Sequence, residues 1–236
     1  EARSGARLRG EHVCRVLDAG YLDDDTPFLV MEHLEGQDMD ALLLQRGKLP
    51  LQEAVEWVRQ ACTGLADAHA LGLVHRDLKP SNLFLAVQAD GTRTLKLLDF
   101  GISKSTRQGT MSPSLTMTSE LLGSPLYMSP EQLNSAKDVD ARSDIWSLGV
   151  ILFELVTGQL PFAGETLPQV VVSVLDREPS SFEQARVSVP LEFEKVVRRC
   201  LSKARSERYA NVMELKAALE AFVPRVSTLT RSVGPL

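Results

Sequence analysis

Three polar clusters hold most of the chemistry in this chain: His75-Arg76-Asp77-Leu78-Lys79-Pro80-Ser81-Asn82, Asp99-Phe100-Gly101 and Ser129-Pro130-Glu131. They bring carboxylates, a carboxamide and cations together, the inventory that phosphoryl transfer uses. That reaction needs a group to orient the attacking hydroxyl, metal ions to spread phosphate charge, oxygen ligands for those ions and a cation near the transferred group. Eight specified letters in a row match by chance about 10⁻¹⁰ of the time per start position, and the later clusters follow in order at plausible distances. Part of a nucleotide clamp is not found: Gly5 and Gly10 do not form a phosphate-cradling loop after a strand.

The elements that must position these clusters can be read from periodicity and punctuation. Residues 1–9 suit the last turns of a helix, with Gly10 near its end. Val13 to Leu22 and Pro27 to Glu32 read as strands flanking the acidic turn Asp23-Asp24-Asp25. Gly36 to Gln45 reads as a short helix. Pro50 opens a longer one in which Val55, Val58, Cys62, Leu65 and His69 share a face, and Gly72 ends it. His69 on that face is expected to be a satisfied core or interface histidine. Leu83 to Val87 and Thr94 to Leu98, split by Ala89-Asp90-Gly91, predict a second hairpin. Ten Ser/Thr fall between Ser103 and Ser124 with little apolar periodicity, which predicts a mobile segment. After it the spacing predicts helices over 130–133, 144–157, 167–176, 191–201 and 212–222.

Composition narrows the classes. The chain has 236 residues, 44% hydrophobic and 24% charged, with a net charge of -5, so no basic excess argues for nucleic acid as a partner. Cys14, Cys62 and Cys200 are too far apart for zinc spacing and suggest reduced core thiols in a cytoplasmic setting. The longest apolar run, Ile145 to Val156, is too short for a bilayer and reads as a buried helix, so no membrane segment is expected.

Taken together, the clusters resemble the eukaryotic-like Ser/Thr protein kinases of bacteria, over residues 1–222. The resemblance implies an α+β, protein-kinase-like fold: the remnant of a small β-lobe with the end of helix C, about two to three strands and the hinge (1–34), a complete, mainly helical large lobe (35–222) and the start of a linker or tail (223–236). It implies that Asp77 orients the substrate hydroxyl, that Lys79 steadies the γ-phosphate, and that Asn82 and Asp99 ligate Mg²⁺, with Mn²⁺ as the alternative. Lys79 followed by Pro80 resembles the Ser/Thr branch. His75, Phe100 and Gly101 are implied to position the loops.

For the nucleotide, the resemblance makes Met31 a gatekeeper, presents backbone groups of Glu32 and Leu34 to adenine, sets Phe84 beneath the ring and lets Asp38 reach the ribose of ATP. Thr116 and Thr118 resemble paired autophosphorylation sites whose phosphate would meet Arg76, and dimerisation would serve that reaction. Ser124 stands where the family usually has a threonine bonded to the catalytic aspartate and lysine. Ser129 replaces the commoner alanine of the Ala-Pro-Glu triplet. Glu131 and Arg208 resemble a buried ion pair, and Asp144 an aspartate that accepts backbone N–H bonds from the catalytic loop.

Glu1 aligns with the helix glutamate that pairs with a strand lysine, and that lysine and the glycine loop are expected upstream of residue 1. Apolar surface is therefore expected to be exposed along 13–30, and residues 1–236 alone are expected to bind ATP poorly. A membrane tether beyond Leu236 would fit similar kinases. A pseudokinase scaffold would usually lack one of Asp77, Lys79, Asn82 and Asp99. A small-molecule phosphotransferase of the aminoglycoside type would lack Arg76, the Thr-rich stretch and Ser129-Pro130-Glu131.

Overall fold

The computed structural model describes residues 10–24, 26–100, 124–134 and 139–223. Strands β1 (Val16–Tyr21) and β2 (Pro27–Met31) form an antiparallel hairpin, with Val16 opposite Met31 and Tyr21 opposite Pro27. Its turn is stabilised locally, since the Asp24 carboxylate accepts the Thr26 N–H at 3.0 Å. Leu17, Tyr21, Leu22, Val30 and Met31 are exposed. The expected exposure does not begin at Val13, however. Val13 bridges to Leu97, Cys14 N–H donates to the Leu97 carbonyl at 2.9 Å, and both side chains are buried.

A second, three-stranded sheet has the order β3 (Gly36–Asp38), β4 (Leu83–Val87), β5 (Arg93–Leu97), all antiparallel. The short strand β3 corrects the expectation of helix from Gly36. Gly36 has φ +140°, and a Cβ there would lie 2.1 Å from the Leu85 carbonyl oxygen, so the residue must be glycine and cannot be helical. Helix begins only at α1 (Met39–Arg46), capped by Asp38, whose Oδ1 accepts the Ala41 N–H at 2.8 Å.

Helix α2 (Leu51–Ala70) opens at Pro50 and buries Val55, Val58, Cys62 and Leu65. On it Gly64 lets the backbone of the segment before β1 lie directly against the helix, because a Cβ would come within 2.6 Å of the His12 carbonyl oxygen. Beyond this follow α3 (Pro130–Asn134), α4 (Arg142–Thr157), α5 (Leu167–Asp176), α6 (Leu191–Cys200) and α7 (Val212–Leu219). Helix α4 starts two residues ahead of the predicted Asp144. The last predicted helix gives way to a 3₁₀ turn over Glu220–Phe222.

Every residue from Ser143 to Thr157 except Glu154 is buried, so α4 is the axis of the core. Trp146 stacks on Phe162 at 5.3 Å, and Phe153, Phe182, Phe193 and Phe222 form a chain of ring contacts. Burying each such side chain contributes about 1.5–3 kcal/mol. The fold is α+β, two small antiparallel sheets beside a large helical lobe, as expected. Cys14, Cys62 and Cys200 are buried and unpaired, and burial pushes the Cys62 thiol up to about 12.

Candidate active site

The loop after α2 is fixed by one carboxylate. Asp144, near the start of α4 and 1% exposed, accepts the His75 N–H at 2.9 Å, the Arg76 N–H at 3.0 Å and His69 Nε2 at 2.7 Å. His69 thus belongs to the anchorage of this loop, and its Nδ1 is buried with no hydrogen-bond partner. A second tie comes from α3, where the Gln132 side chain donates to the Arg76 carbonyl at 2.8 Å and accepts from the Ser129 N–H and hydroxyl, each at 3.1 Å. Arg76 holds φ +65° and Asp99 φ +51°. These left-handed conformations are unfavourable for non-glycine residues, and such strain concentrates at functional sites.

His75 joins this loop to the strand behind it. The buried ring accepts the Asp77 N–H on Nδ1 at 3.4 Å and donates from Nε2 to the Leu98 carbonyl at 2.8 Å. That pattern is the neutral tautomer. Burial holds the imidazole below its ordinary value against the opposing pull of Asp144. The Phe100 ring packs on His75 with centroids 4.8 Å apart. Leu98 N–H donates to the Asn82 carbonyl at 3.0 Å, so the residue just before Asp99 is tied to Asn82. Asn82 turns its Nδ2 to the Asp77 carbonyl at 2.7 Å, leaving Oδ1 as the atom a hard cation would take. Asp77 and Lys79 face each other, carboxylate oxygen to ammonium, at 3.6 Å.

This donor set fits Mg²⁺ in one particular way. Among the described residues no group of three or more His, Cys, Asp or Glu could hold a metal ion. Asn82 and Asp99 could supply only two oxygen ligands, which would suit an ion that keeps several waters and takes the rest of its shell from substrate phosphates. Ion and nucleotide would therefore be held together rather than in turn.

In the three-stranded sheet, Asp38, Phe84 and Lys96 stand opposite one another in a row across β3, β4 and β5. Directly opposed residues share a sheet face. Asp38 already uses one carboxylate oxygen to cap α1. Glu32 N–H is taken by the Arg15 carbonyl at 3.0 Å, which leaves the Glu32 carbonyl for a base. Met31 ends β2 and Leu34 lies between β2 and β3, bordering an open cavity of about 600 Å³ with Glu32, Arg15 and Lys96.

Below the loop, Glu131 and Arg208 form a buried two-pronged pair at 2.7 and 2.9 Å. Ser143 adds a hydroxyl to Glu131 at 2.7 Å, and the Ser202, Arg142 and Lys203 carbonyls occupy the remaining arginine donors. Burial pushes the Glu131 carboxyl up, and Arg208 and Ser143 together outweigh it, so the net shift is downward. Glu1, Gly101, Thr116 and Thr118 lie outside the described residues, as does the side chain of Ser124. Sequence reasoning missed Gln132 and the Glu32–Lys96 contact. No motif marks either one.

A helical lobe carrying an Asp/Lys/Asn loop, Asp99-Phe100 just after a strand and a buried Glu–Arg pair is the arrangement expected of a protein kinase-like domain. Residues 1–219 match the family described as the protein kinase domain, and the chain belongs to that family. It is 36% identical over 227 residues to the serine/threonine-protein kinase PknL of Mycobacterium tuberculosis, covering 96% of this chain and 54% of that protein. It is 36% identical to the serine/threonine-protein kinase pkn3 of Myxococcus xanthus, covering 94% of this chain and 41% of that protein. The serine/threonine-protein kinase PknB of Mycobacterium leprae is 33% identical, with 93% of this chain and 34% of that protein covered. The chain therefore spans about half or less of the length of these relatives. Among the described residues no helix is long and apolar enough to cross a membrane.

Proposed function

We propose that this protein transfers the γ-phosphoryl group of ATP to serine and threonine hydroxyls of proteins. The observation that carries this reading is the Asp77–Lys79 pair, held 3.6 Å apart on a loop whose backbone is bonded to the buried Asp144. Asp77 orients the attacking hydroxyl and takes its proton as the oxygen–phosphorus bond forms. Lys79 offsets charge on the transferred group as the bond to ADP breaks. Asn82 and Asp99 hold Mg²⁺, or Mn²⁺, which when bound neutralises phosphate charge. Glu32 and Leu34 backbone groups meet adenine over Phe84, Met31 borders the base, and the second Asp38 carboxylate oxygen serves the ribose. Lys79-Pro80 supports hydroxyl acceptors of the Ser/Thr kind.

Regulation follows from the Thr-x-Thr spacing of Thr116 and Thr118 and from Arg76 beside Asp77: phosphate on the former pairs with the latter. Dimerisation brings two copies together for that autophosphorylation. Residues 1–236 by themselves bind ATP weakly, because no glycine-rich loop or Val-Ala-x-Lys strand occurs within them. The test incubates the full-length protein with radiolabelled ATP, Mg²⁺ and a basic protein acceptor, followed by phosphoamino-acid analysis. Phosphoserine or phosphothreonine is expected, with loss of about 10³-fold or more in Asp77→Asn. Equal, background labelling of both proteins would reject transfer and leave a binding scaffold.

A further inference from the structure

The hinge is tied to the floor of the proposed nucleotide site by a carboxylate that the assigned roles leave unused. Glu32 follows β2 directly, and its side chain, 14% exposed, accepts Lys96 Nζ at 2.7 Å on Oε1. The Arg15 N–H reaches the same oxygen at 2.9 Å, and the Arg15 guanidinium reaches Oε2 from Nε and Nη2, each at 3.3 Å. Lys96 is 11% exposed and Arg15 61% exposed, so Lys96 is the sheltered arm and Arg15 the solvated one. An exposed ion pair contributes little, but a partly desolvated carboxylate left without its cation is costly.

The two ends of this clamp differ in freedom. Strand β5 is fixed from several sides. Leu95 N–H donates to the Gln60 side chain of α2 at 2.9 Å, the Leu95 carbonyl meets His12 Nδ1 at 3.0 Å, and Leu97 exchanges bonds with His12 and Cys14. Strands β1 and β2, by contrast, form a sheet of their own. Glu32 therefore adds a side-chain tie between the end of this hairpin and a strand that is hydrogen-bonded from several sides. Lys96 stands opposite Phe84, the residue assigned to the underside of the base.

We propose that Lys96 is a positioning residue for the nucleotide: through Glu32 it sets the distance between the hinge backbone and the Phe84 floor, and so fixes ATP affinity. This rests on the kinase reading above. The loop carrying Asp77 is anchored separately by Asp144, so the chemical step should be largely insulated from the clamp.

The test compares Lys96→Met and Lys96→Arg in the full-length protein. Lys96→Met is expected to raise both the Kd and the KM for Mg-ATP about 5- to 30-fold, the effect of one or two lost kcal/mol, with kcat within about twofold of the parent. Lys96→Arg is expected to recover most of the affinity, since a guanidinium still donates to Glu32. An unchanged KM, a loss confined to kcat, or a methionine defect that arginine does not relieve would overturn the proposal. Amide hydrogen exchange without nucleotide supplies the independent readout: residues 31–34 should exchange faster in Lys96→Met while α4 is unaltered. Unaltered exchange at the hinge would also overturn it, whether or not the parent binds ATP. A parent that neither binds ATP nor transfers phosphate would sink the kinase reading alone, and the exchange result would still decide whether the clamp holds the hinge.

Discussion

Helix α4 is buried on nearly every side, whereas the β1–β2 hairpin leaves Leu17, Tyr21, Leu22, Val30 and Met31 open to solvent. Both are rich in apolar residues. One is wrapped by α2, α6 and α7, and its buried carboxylate, Asp144, faces the loop that carries Asp77. The other pairs only its two strands and joins the rest through backbone bonds at Cys14 and Glu35 and the Glu32 carboxylate. Stability and the anchorage of the Asp77 loop thus reside in the helical lobe, while the hairpin side is held by a few polar ties.

The strongest way to break this contrast is Arg208→Ala. It strands the buried Glu131 carboxylate and is expected to destabilise by about 3–5 kcal/mol in urea unfolding. A loss below about 1 kcal/mol would show that water relaxes around the carboxylate and that the lobe is less rigid than argued. Next in size is Asp144→Ala, which removes the acceptor of His75, Arg76 and His69 and should cost about 2–3 kcal/mol. Phosphoryl transfer should fall further than stability at temperatures where the variant stays folded.

Glu154, the exception on α4, sharpens the comparison through pH. Burial pushes its carboxyl up to about 7, with the Tyr127 hydroxyl bond at 2.7 Å opposing and Asp40 adding to the rise. Because the folded value lies above the ordinary 4.5, the neutral acid favours folding at low pH, and that contribution is lost as pH rises through about 7. Glu154→Gln should therefore flatten stability between pH 4.5 and 7 and raise it by about 2 kcal/mol at pH 8, read by thermal or urea unfolding. The smallest effect belongs to the hairpin. Leu17→Lys should change unfolding free energy by less than about 0.5 kcal/mol. A larger loss would mean that its face is covered in solution.

How much of this was legible depended on the range of the signal. Turn chemistry at Asp23-Asp24-Asp25 and Ala89-Asp90-Gly91, the opener Pro50 and the stop Gly72 act within a few residues, and the corresponding hairpins and helix stand where they were expected. Strand β3 was misread because its extended form is imposed by β4, more than forty residues on, and by the φ of Gly36 rather than by apolar alternation. Within the candidate site, the contiguous clusters are what single out Asp77, Lys79, Asn82 and Asp99 from sequence. Lys96, Gln132 and His69 could not be read that way. Each acts through one long-range contact between polar groups, and a lone lysine, glutamine or histidine on an element carries no pattern that names its partner.

Leu98 has both of its peptide groups committed, the N–H to Asn82 and the carbonyl to His75. Immediately after it, Asp99 sits in the left-handed region and Phe100 rests on the His75 ring. The chain up to Leu98 is thus a fixed fulcrum. Rotation about the Asp99 backbone would carry the Phe100 ring with it, off or onto His75. The Asp99 carboxylate branches from the chain one residue beyond Leu98, so the bonds that hold Leu98 to Asn82 and His75 also set where that carboxylate begins.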